Sequence, residues 1–106
     1  GKILILEDLD EYLYHIDRMM MNLKYSGKLE NLKALIVGGM TEMRDNNVPF
    51  GKSAYEIIRD AVSENDYPFC YNFPAGHIEN NMAVVLGQYA EIEIEKSNCI
   101  FSQKLL

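Results

Sequence analysis

Two short, unbroken apolar runs place the strongest constraint on the fold of this chain. The first is the ILIL within KILILE at residues 2–7, and the second is ALIVGGM at residues 34–40. Because neither run alternates with polar residues, each predicts a strand that is covered on both faces, as in a parallel or mixed sheet. Each run is followed by a polar stretch and then by a helical pattern, so the sequence favours an α/β fold.

Apolar residues recur at helical spacing after each of these runs. Between residues 12 and 25, steps of three and four predict an amphipathic helix, which Gly27 can close in a left-handed cap. A second helix begins at Ser53 and Glu56, whose spacing is that of a capping box in which each side chain satisfies the other residue's backbone N–H. The predicted apolar faces are Leu13, Ile16, Met20 and Leu23 in the first helix, and Ala54, Ile57, Ile58, Ala61 and Val62 in the second.

The second half of the chain changes from helical spacing to strand spacing. PFCYNF at residues 68–73 predicts a third strand, and the loop PAGHIENN follows it at residues 74–81. AVVLG at 83–87, AEIEIE at 90–95 and CIFSQ at 99–103 predict antiparallel strands with one face in water. The chain is therefore predicted to be one α/β domain with a mixed sheet, in the order strand, helix, strand, helix, strand and then two or three further strands.

Charge and cysteine content exclude several classes of protein. The chain has 10 basic and 16 acidic residues, a net charge of −6, and no cluster of Lys and Arg, so nucleic acid is not an expected partner. Cys70 and Cys99 lack CxxC spacing and are expected to be free thiols in a reducing compartment, with the cytoplasm as the default location. No apolar run approaches the roughly 20 residues of a membrane span. A strand so close to Gly1 suggests a segment of a longer polypeptide.

A cluster of acidic residues follows the first apolar run. Glu7, Asp8, Asp10 and Glu11 are expected in the loop after the strand, and His77 lies in the loop after the predicted third strand. Loops at the carboxyl ends of parallel strands gather at one edge of a sheet, so Glu7 and His77 could meet if these strands lie close together. A carboxylate that accepts the Nδ1–H of a histidine orients the ring for proton transfer, and the two would then be two members of a catalytic triad.

Plainer interpretations of these residues stay open. Loop histidines are commonly solvated, and Asp10 is well placed to cap the first helix. Glu7 and Asp8 could instead hold Mg²⁺, although the run at residues 34–40 ends in glycines rather than in an acceptor aspartate. His15 fits the surface of the first helix. No nucleophile is evident, because none of the five serines lies in a GxSxG turn.

Four segments together resemble a known family. They are GKILILEDLDEYLYHIDRMMMNL at 1–23, ALIVGGM at 34–40, VPFGKSAYEII at 48–58 and FPAGHIENNMAVVLG at 73–87. In order and spacing they are similar to the C-terminal domain of the LD-carboxypeptidases, serine peptidases that include muramoyltetrapeptide carboxypeptidase and the microcin C self-immunity peptidase. The resemblance covers nearly the whole chain, is weakest after Gly87, and implies a swivelling β/β/α domain.

The resemblance also implies roles for individual residues. An N-terminal domain outside this chain would supply a serine on a nucleophile elbow and the oxyanion hole, while Glu7 and His77 would complete a Ser-His-Glu triad. Members typically release the terminal D-alanine of murein tetrapeptide during cytoplasmic wall recycling, and no cofactor or metal is implied. Asp10 stands where the family often has a glycine, and Asn72 and Ala75 also depart from common residues. These departures concern the choice of substrate more than the mechanism.

Two other functions stay open from the sequence alone. Microcin-type relatives cleave a different amide, in a peptide-nucleotide. A stand-alone binding or interaction domain on the same scaffold would use Glu7 and His77 only as polar loop residues. The implied partners are a murein or related peptide and the N-terminal domain of the same chain, and homodimers are frequent in the family. This fragment is not expected to turn over substrate without its serine.

Overall fold

A computed structural model describes residues 1–104 of the protein. The elements are β1 (Ile3–Leu9), α1 (Leu13–Tyr25), β2 (Ala34–Thr41), α2 (Ala54–Ala61), β3 (Phe69–Cys70), β4 (Glu91–Glu95) and β5 (Asn98–Ser102). The first three strands form a parallel sheet in the order β1-β2-β3, and β4 and β5 form an antiparallel hairpin. The predicted α/β class and element order are confirmed, with the parallel and antiparallel strands in two separate sheets.

The main core lies between the parallel sheet and the two helices. Leu35 and Val37 of β2 are fully buried and pack in one cluster with Ile16 of α1 and Ile58 of α2. Ile36, between them, points to the opposite face of the sheet and is also inaccessible to solvent. The central strand is therefore covered on both faces, which explains why this part of the sequence contains no polar residue.

Two predicted helix caps are confirmed, one at the end of α1 and one at the start of α2. Gly27, with a φ of 77°, follows the end of α1, and its N–H donates to the carbonyl of Lys24. Ser53 and Glu56 form the capping box at the start of α2, each side chain accepting from the other residue's backbone N–H at 3.2 Å. Within residues 1–104, neither helix has the length and apolar character needed to cross a membrane.

The start of α1 differs from the prediction. Its N-cap residue is Tyr12, whose side chain makes no capping hydrogen bond. Asp10 does not cap the helix, because its carboxylate forms a salt bridge to Arg44, with 2.7 Å between Oδ1 and Nε. Asp10 has a φ of 59°, a conformation that glycine adopts without strain and that Asp tolerates. Asp10 therefore takes the left-handed turn itself, and its carboxylate links this turn to the segment after β2.

β1 is longer than the sequence predicts. Glu7 and Asp8 belong to the strand and not to the loop after it, since backbone pairing with β2 continues from Asp8 opposite Met40 to Leu9 opposite Thr41. A strand can end in acidic residues here because the edge of the sheet reaches water. The acidic cluster thus begins inside β1 and continues into the turn before α1.

β3 is shorter than the sequence predicts. It covers only Phe69 and Cys70, and the prediction of a strand over residues 68–73 is wrong in extent. Asn72 takes a φ of 60°, which turns the chain away from regular pairing with β2. The segment after β3 is therefore free to cross the end of the sheet.

The segment at residues 83–87 forms no strand, which corrects a further prediction. The backbone N–H and C=O of Val85 pair with the side-chain amide of Gln103, at 3.0 and 2.9 Å, and not with a neighbouring strand. The β4–β5 hairpin does follow the predicted alternation, with Ile92 and Ile94 half-buried and the intervening glutamates exposed.

Candidate active site

Glu7 and His77 contact each other at the carboxyl edge of the parallel sheet. The distance from Glu7 Oε2 to His77 Nδ1 is 3.2 Å. Both side chains reach solvent, with exposed fractions of 36% for Glu7 and 58% for His77. The structure therefore brings together the two residues that the sequence singled out, and it leaves them accessible.

The contact passes over β2, which lies between β1 and β3. The register of β1 and β2 shifts next to Glu7, so that this residue lies opposite Gly38 and Gly39. A Cβ atom on Gly38 would lie 2.5 Å from the carbonyl oxygen of Ala75, and one on Gly39 would lie 2.6 Å from Cγ2 of Ile78. Two residues without side chains thus let the loop after β3 cross β2 and reach Glu7. The glycine pair in ALIVGGM is the sequence signal for this close approach.

Gly76 brings the backbone of the same loop against the Glu7 carboxylate. Its φ is 106°, and a Cβ atom at this position would lie 2.7 Å from Glu7 Oε2. Any other residue would therefore be strained and would collide with the carboxylate. The glycine that precedes His77 is needed both for the turn and for the approach to Glu7.

Hydrogen bonds from β2 hold the loop that carries His77. The N–H of Gly39 donates to the carbonyl of Ala75 at 2.9 Å. The hydroxyl of Thr41 donates to the carbonyl of His77 at 2.8 Å. The backbone on both sides of Gly76 is therefore attached to the end of the central strand. The hydroxyl of Thr41 binds His77 itself, through its backbone carbonyl.

Two further hydrogen bonds close the loop on itself. The N–H of Gly76 donates to Oδ1 of Asn81 at 2.9 Å. The N–H of Met82 donates to the carbonyl of Pro74 at 2.7 Å. Asn81 and Thr41 are not evident as site residues from the sequence, where the only signal for Asn81 is the polar pair Asn80–Asn81 shortly after the histidine. Thr41 holds the backbone of His77 itself and Asn81 holds the backbone of Gly76 before it, and neither side chain is hydrogen-bonded to the His77 ring.

The geometry of the pair suits proton transfer. A carboxylate at Nδ1 favours the tautomer in which Nδ1 carries the proton, and Nε2 then presents a lone pair. Within residues 1–104, Nε2 of His77 makes no hydrogen bond. A hydroxyl placed at this nitrogen could lose its proton to the ring, and Glu7 would stabilise the imidazolium that forms.

The other acidic residues of the cluster have local partners. Oδ1 of Asp8 accepts from the N–H of Leu9 at 2.8 Å. Oε2 of Glu11 lies 3.0 Å from Nδ1 of His15, one turn further along α1. In the part of the chain that the structure describes, no three His, Cys, Asp or Glu side chains converge as metal ligands. The magnesium interpretation of the acidic cluster therefore gains no support.

In the described chain, the serine side chains make no hydrogen bond to Glu7 or His77. Ser53 caps α2, and the hydroxyls of Ser26 and Ser63 donate to nearby helix carbonyls. Among residues 1–104, no hydrogen bond joins a serine to His77. The described chain thus presents a histidine in contact with a glutamate, without a serine at the ring.

Comparison with known proteins identifies the family of the chain. The model of the LD-carboxypeptidase C-terminal domain matches residues 1–92. The chain belongs to this family. A solved structure of muramoyltetrapeptide carboxypeptidase from Oxalobacter formigenes superposes with a TM-score of 0.79 at 28% identity, covering 95% of this chain and 35% of that one. The LD-carboxypeptidase resemblance read from the sequence motifs is confirmed.

Curated relatives of this LD-carboxypeptidase domain are themselves described as carboxypeptidases. A probable murein peptide carboxypeptidase of Bacillus subtilis is 30% identical over 104 residues, covering 94% of this chain and 31% of the relative. A murein tetrapeptide carboxypeptidase of Pseudomonas aeruginosa is 29% identical over 93 residues, covering 88% of this chain and 30% of the relative. The chain spans about a third of the length of the relatives it matches. The microcin C7 self immunity protein MccF, at 22% identity and a TM-score of 0.60, shares the fold.

Proposed function

We propose that this chain is the domain of a serine-type LD-carboxypeptidase that supplies the histidine and the glutamate of a Ser-His-Glu triad. The observation that carries the proposal is the 3.2 Å contact between Nδ1 of His77 and Oε2 of Glu7. The serine and the oxyanion hole come from an N-terminal domain of the same polypeptide. The exposure of both side chains supports this division, because a second domain has access to the ring.

In the proposed mechanism His77 acts first as a base and then as an acid. Its Nε2 takes the proton of the serine hydroxyl as the oxygen attacks the scissile carbonyl. The imidazolium then gives this proton to the leaving amine. Glu7 keeps the ring in the required tautomer and stabilises its positive charge throughout. No cofactor or metal enters the reaction.

The proposed substrate is the murein tetrapeptide, and the bond broken is the amide to its terminal D-amino acid. This assignment rests on the murein peptide and murein tetrapeptide carboxypeptidases among the relatives. Hydrolysis of this bond in the cytoplasm would be a step in the recycling of peptidoglycan. The sequence supports a reducing location, because its two cysteines lack the density and spacing of a disulfide framework.

Two histidine–glutamate pairs in the chain provide a matched test. In the full-length protein, His77→Gln should reduce the release of D-alanine from murein tetrapeptide by at least about 10³-fold, the usual cost of losing a triad member. His15→Gln is the control, because Nδ1 of His15 also lies against a glutamate, Glu11, at 3.0 Å. It should leave turnover within about twofold of the wild type, since a surface substitution on α1 touches no reacting group.

Assays of the full-length protein with murein tetrapeptide and with an aminoacyl-nucleotide amide separate the proposal from its alternatives. Turnover of tetrapeptide that survives in His77→Gln would contradict the role of His77. Turnover only of an aminoacyl-nucleotide amide would assign the protein to the microcin-type peptidases. A full-length protein that binds peptides but hydrolyses none of them would make the chain a binding domain.

A further inference from the structure

The two cysteines of the chain meet where the hairpin joins the parallel sheet. Sγ of Cys70 in β3 and Sγ of Cys99 in β5 are 3.6 Å apart, although the residues are 29 positions apart in the sequence. Both are free thiols. The rings of Phe73 and Phe101 pack edge to face beside them, with 5.3 Å between centroids. The thiol pair is thus one of a small number of contacts that attach the hairpin to the rest of the domain.

An open groove of about 620 Å³ gives access to this pair. Both cysteines line it, together with Phe73, Met82 and Phe101. Cys70 is buried beneath the groove, whereas Cys99 is only partly covered. A small thiol reagent can therefore reach Cys99 more easily than Cys70, whose Sγ lies 3.6 Å from that of Cys99.

We propose that Cys70 and Cys99 are a reversible thiol–disulfide site that exchanges with low-molecular-weight disulfides such as glutathione disulfide. Neither thiol belongs to the Glu7–His77 site, so the inference is independent of the proposed function. The two sulfurs are already in contact, and they need to close only to the bonding distance of about 2.05 Å. Since these are the two cysteines of the described chain, the site has no competing partner within it.

The exchange proceeds in two balanced steps. The thiolate of Cys99 attacks one sulfur of glutathione disulfide, which breaks the glutathione S–S bond and releases one glutathione thiolate. The thiolate of Cys70 then attacks the sulfur of Cys99, and the second glutathione leaves as a thiolate. The two protons of the cysteines pass to the two glutathiones, so that two cysteines are oxidised and one glutathione disulfide is reduced.

The burial of Cys70 sets the order and the rate of these steps. Burial, followed by the hydrogen bond with Cys99, raises the pKa of the Cys70 thiol to about 12, so it is a poor first attacker near neutral pH. The second step, which needs the Cys70 thiolate, should therefore accelerate as the pH rises. Once formed, the bond would tie β5 to β3 and close a ring that contains the loop bearing His77.

Peptide mapping of the full-length protein tests the proposal directly. The protein is incubated with glutathione disulfide, free thiols are alkylated in denaturant, and trypsin digestion follows without reduction. Cleavage after Arg59, Lys96 and Lys104 puts Cys70 in peptide 60–96 and Cys99 in peptide 97–104. We expect these two peptides to be recovered joined, and to separate when dithiothreitol is added.

Thermal unfolding supplies a second readout and a control. Oxidation should raise the Tm of this domain by about 10 °C, because the bond restricts the unfolded chain. Cys99→Ser leaves the buried Cys70 in place and should show the same Tm with and without glutathione disulfide. Recovery of peptides 60–96 and 97–104 only as separate species, alkylated or bearing glutathione, would overturn the proposal, as would an oxidised Tm equal to or below the reduced one.

Discussion

Glu7 and His77, which are 70 positions apart in the sequence, meet with 3.2 Å between Oε2 and Nδ1. The contact exists because Gly38 and Gly39 leave no side chains where the loop crosses β2 and because Gly76 fits against the carboxylate. Three glycines on two segments therefore create the space in which the imidazole of His77 and the carboxylate of Glu7 come together.

Replacing the carboxylate without changing its size isolates its electrostatic role. In the full-length protein, Glu7→Gln should lower kcat for tetrapeptide hydrolysis by about 10² to 10⁴-fold, because an amide neither enforces the Nδ1–H tautomer nor stabilises the imidazolium. KM should change little, since Glu7 is not proposed to touch the substrate. Glu11→Gln, which alters the equivalent pair on α1, should leave both constants unchanged. A fall in kcat of equal size in the two variants would contradict the assignment.

The hydroxyl of Thr41 offers a test of loop positioning. Thr41→Val removes the hydrogen bond to the carbonyl of His77 while keeping the shape of the side chain. We expect kcat to fall by about five- to tenfold, the equivalent of one hydrogen bond, with KM nearly unchanged. Thr41→Ser restores the donor and should recover most of the lost rate. Equal activity of the valine and serine variants would show that the hydroxyl does not position His77.

Replacing a glycine of β2 should produce a steric clash with the loop that carries His77. Gly38→Ala would place a methyl group 2.5 Å from the carbonyl oxygen of Ala75, so the loop must move or the strand must shift. The free energy of unfolding, measured by urea denaturation, should fall by about 1 to 3 kcal/mol, and hydrolysis should be largely lost.

Gly51→Ala is the matched control for this glycine. A Cβ atom at Gly51 would meet nothing within 4 Å, but its φ of 90° makes alanine strained. This variant should lose about 1 to 2 kcal/mol of stability and keep its kcat. Loss of activity in Gly51→Ala to the same degree as in Gly38→Ala would indicate general destabilisation and not a specific clash.

The capping box of α2 predicts a pH-dependent contribution to stability. The backbone N–H of Ser53, and then its hydroxyl, lower the pKa of Glu56 below 4.5. Because the folded-state pKa is lowered, this contribution is complete above pH 4.5 and is lost as the pH falls through the folded-state value. Ser53→Ala should cost about 1 kcal/mol at pH 7. The Tm difference between the two proteins should shrink at pH 3, and a difference that grows on acidification would contradict the capping role.

Local patterns predicted most of the secondary structure correctly. The strand at residues 34–37 and the capping box at Ser53 were predicted because each depends on residues that are close together in the sequence. Boundaries set by distant partners were predicted less well. β1 continues through Leu9 because its backbone pairs with β2, and the segment around Val85 is not a strand because the side chain of Gln103 takes its hydrogen bonds.

The residues of the candidate site also differ in how well the sequence predicted them. His77 and Glu7 were found from their residue types, their loop and strand positions, and the family motifs. Thr41 and Asn81 were not, because their roles depend on a loop shape that the left-handed turn at Gly76 creates. A hydroxyl at the end of a strand has no sequence signal of its own until its partner 36 positions away is known.

The tautomer of the neutral His77 ring is the measurement that tests the central claim most directly. Long-range ¹H–¹⁵N NMR of the full-length protein, at a pH where the imidazole is uncharged, distinguishes a proton on Nδ1 from one on Nε2. If Glu7 orients His77 as a base, the proton resides on Nδ1 and Nε2 is unprotonated, and Glu7→Ala returns the ring to the Nε2–H form that exposed histidines favour. A wild-type ring that carries its proton on Nε2 would contradict the account.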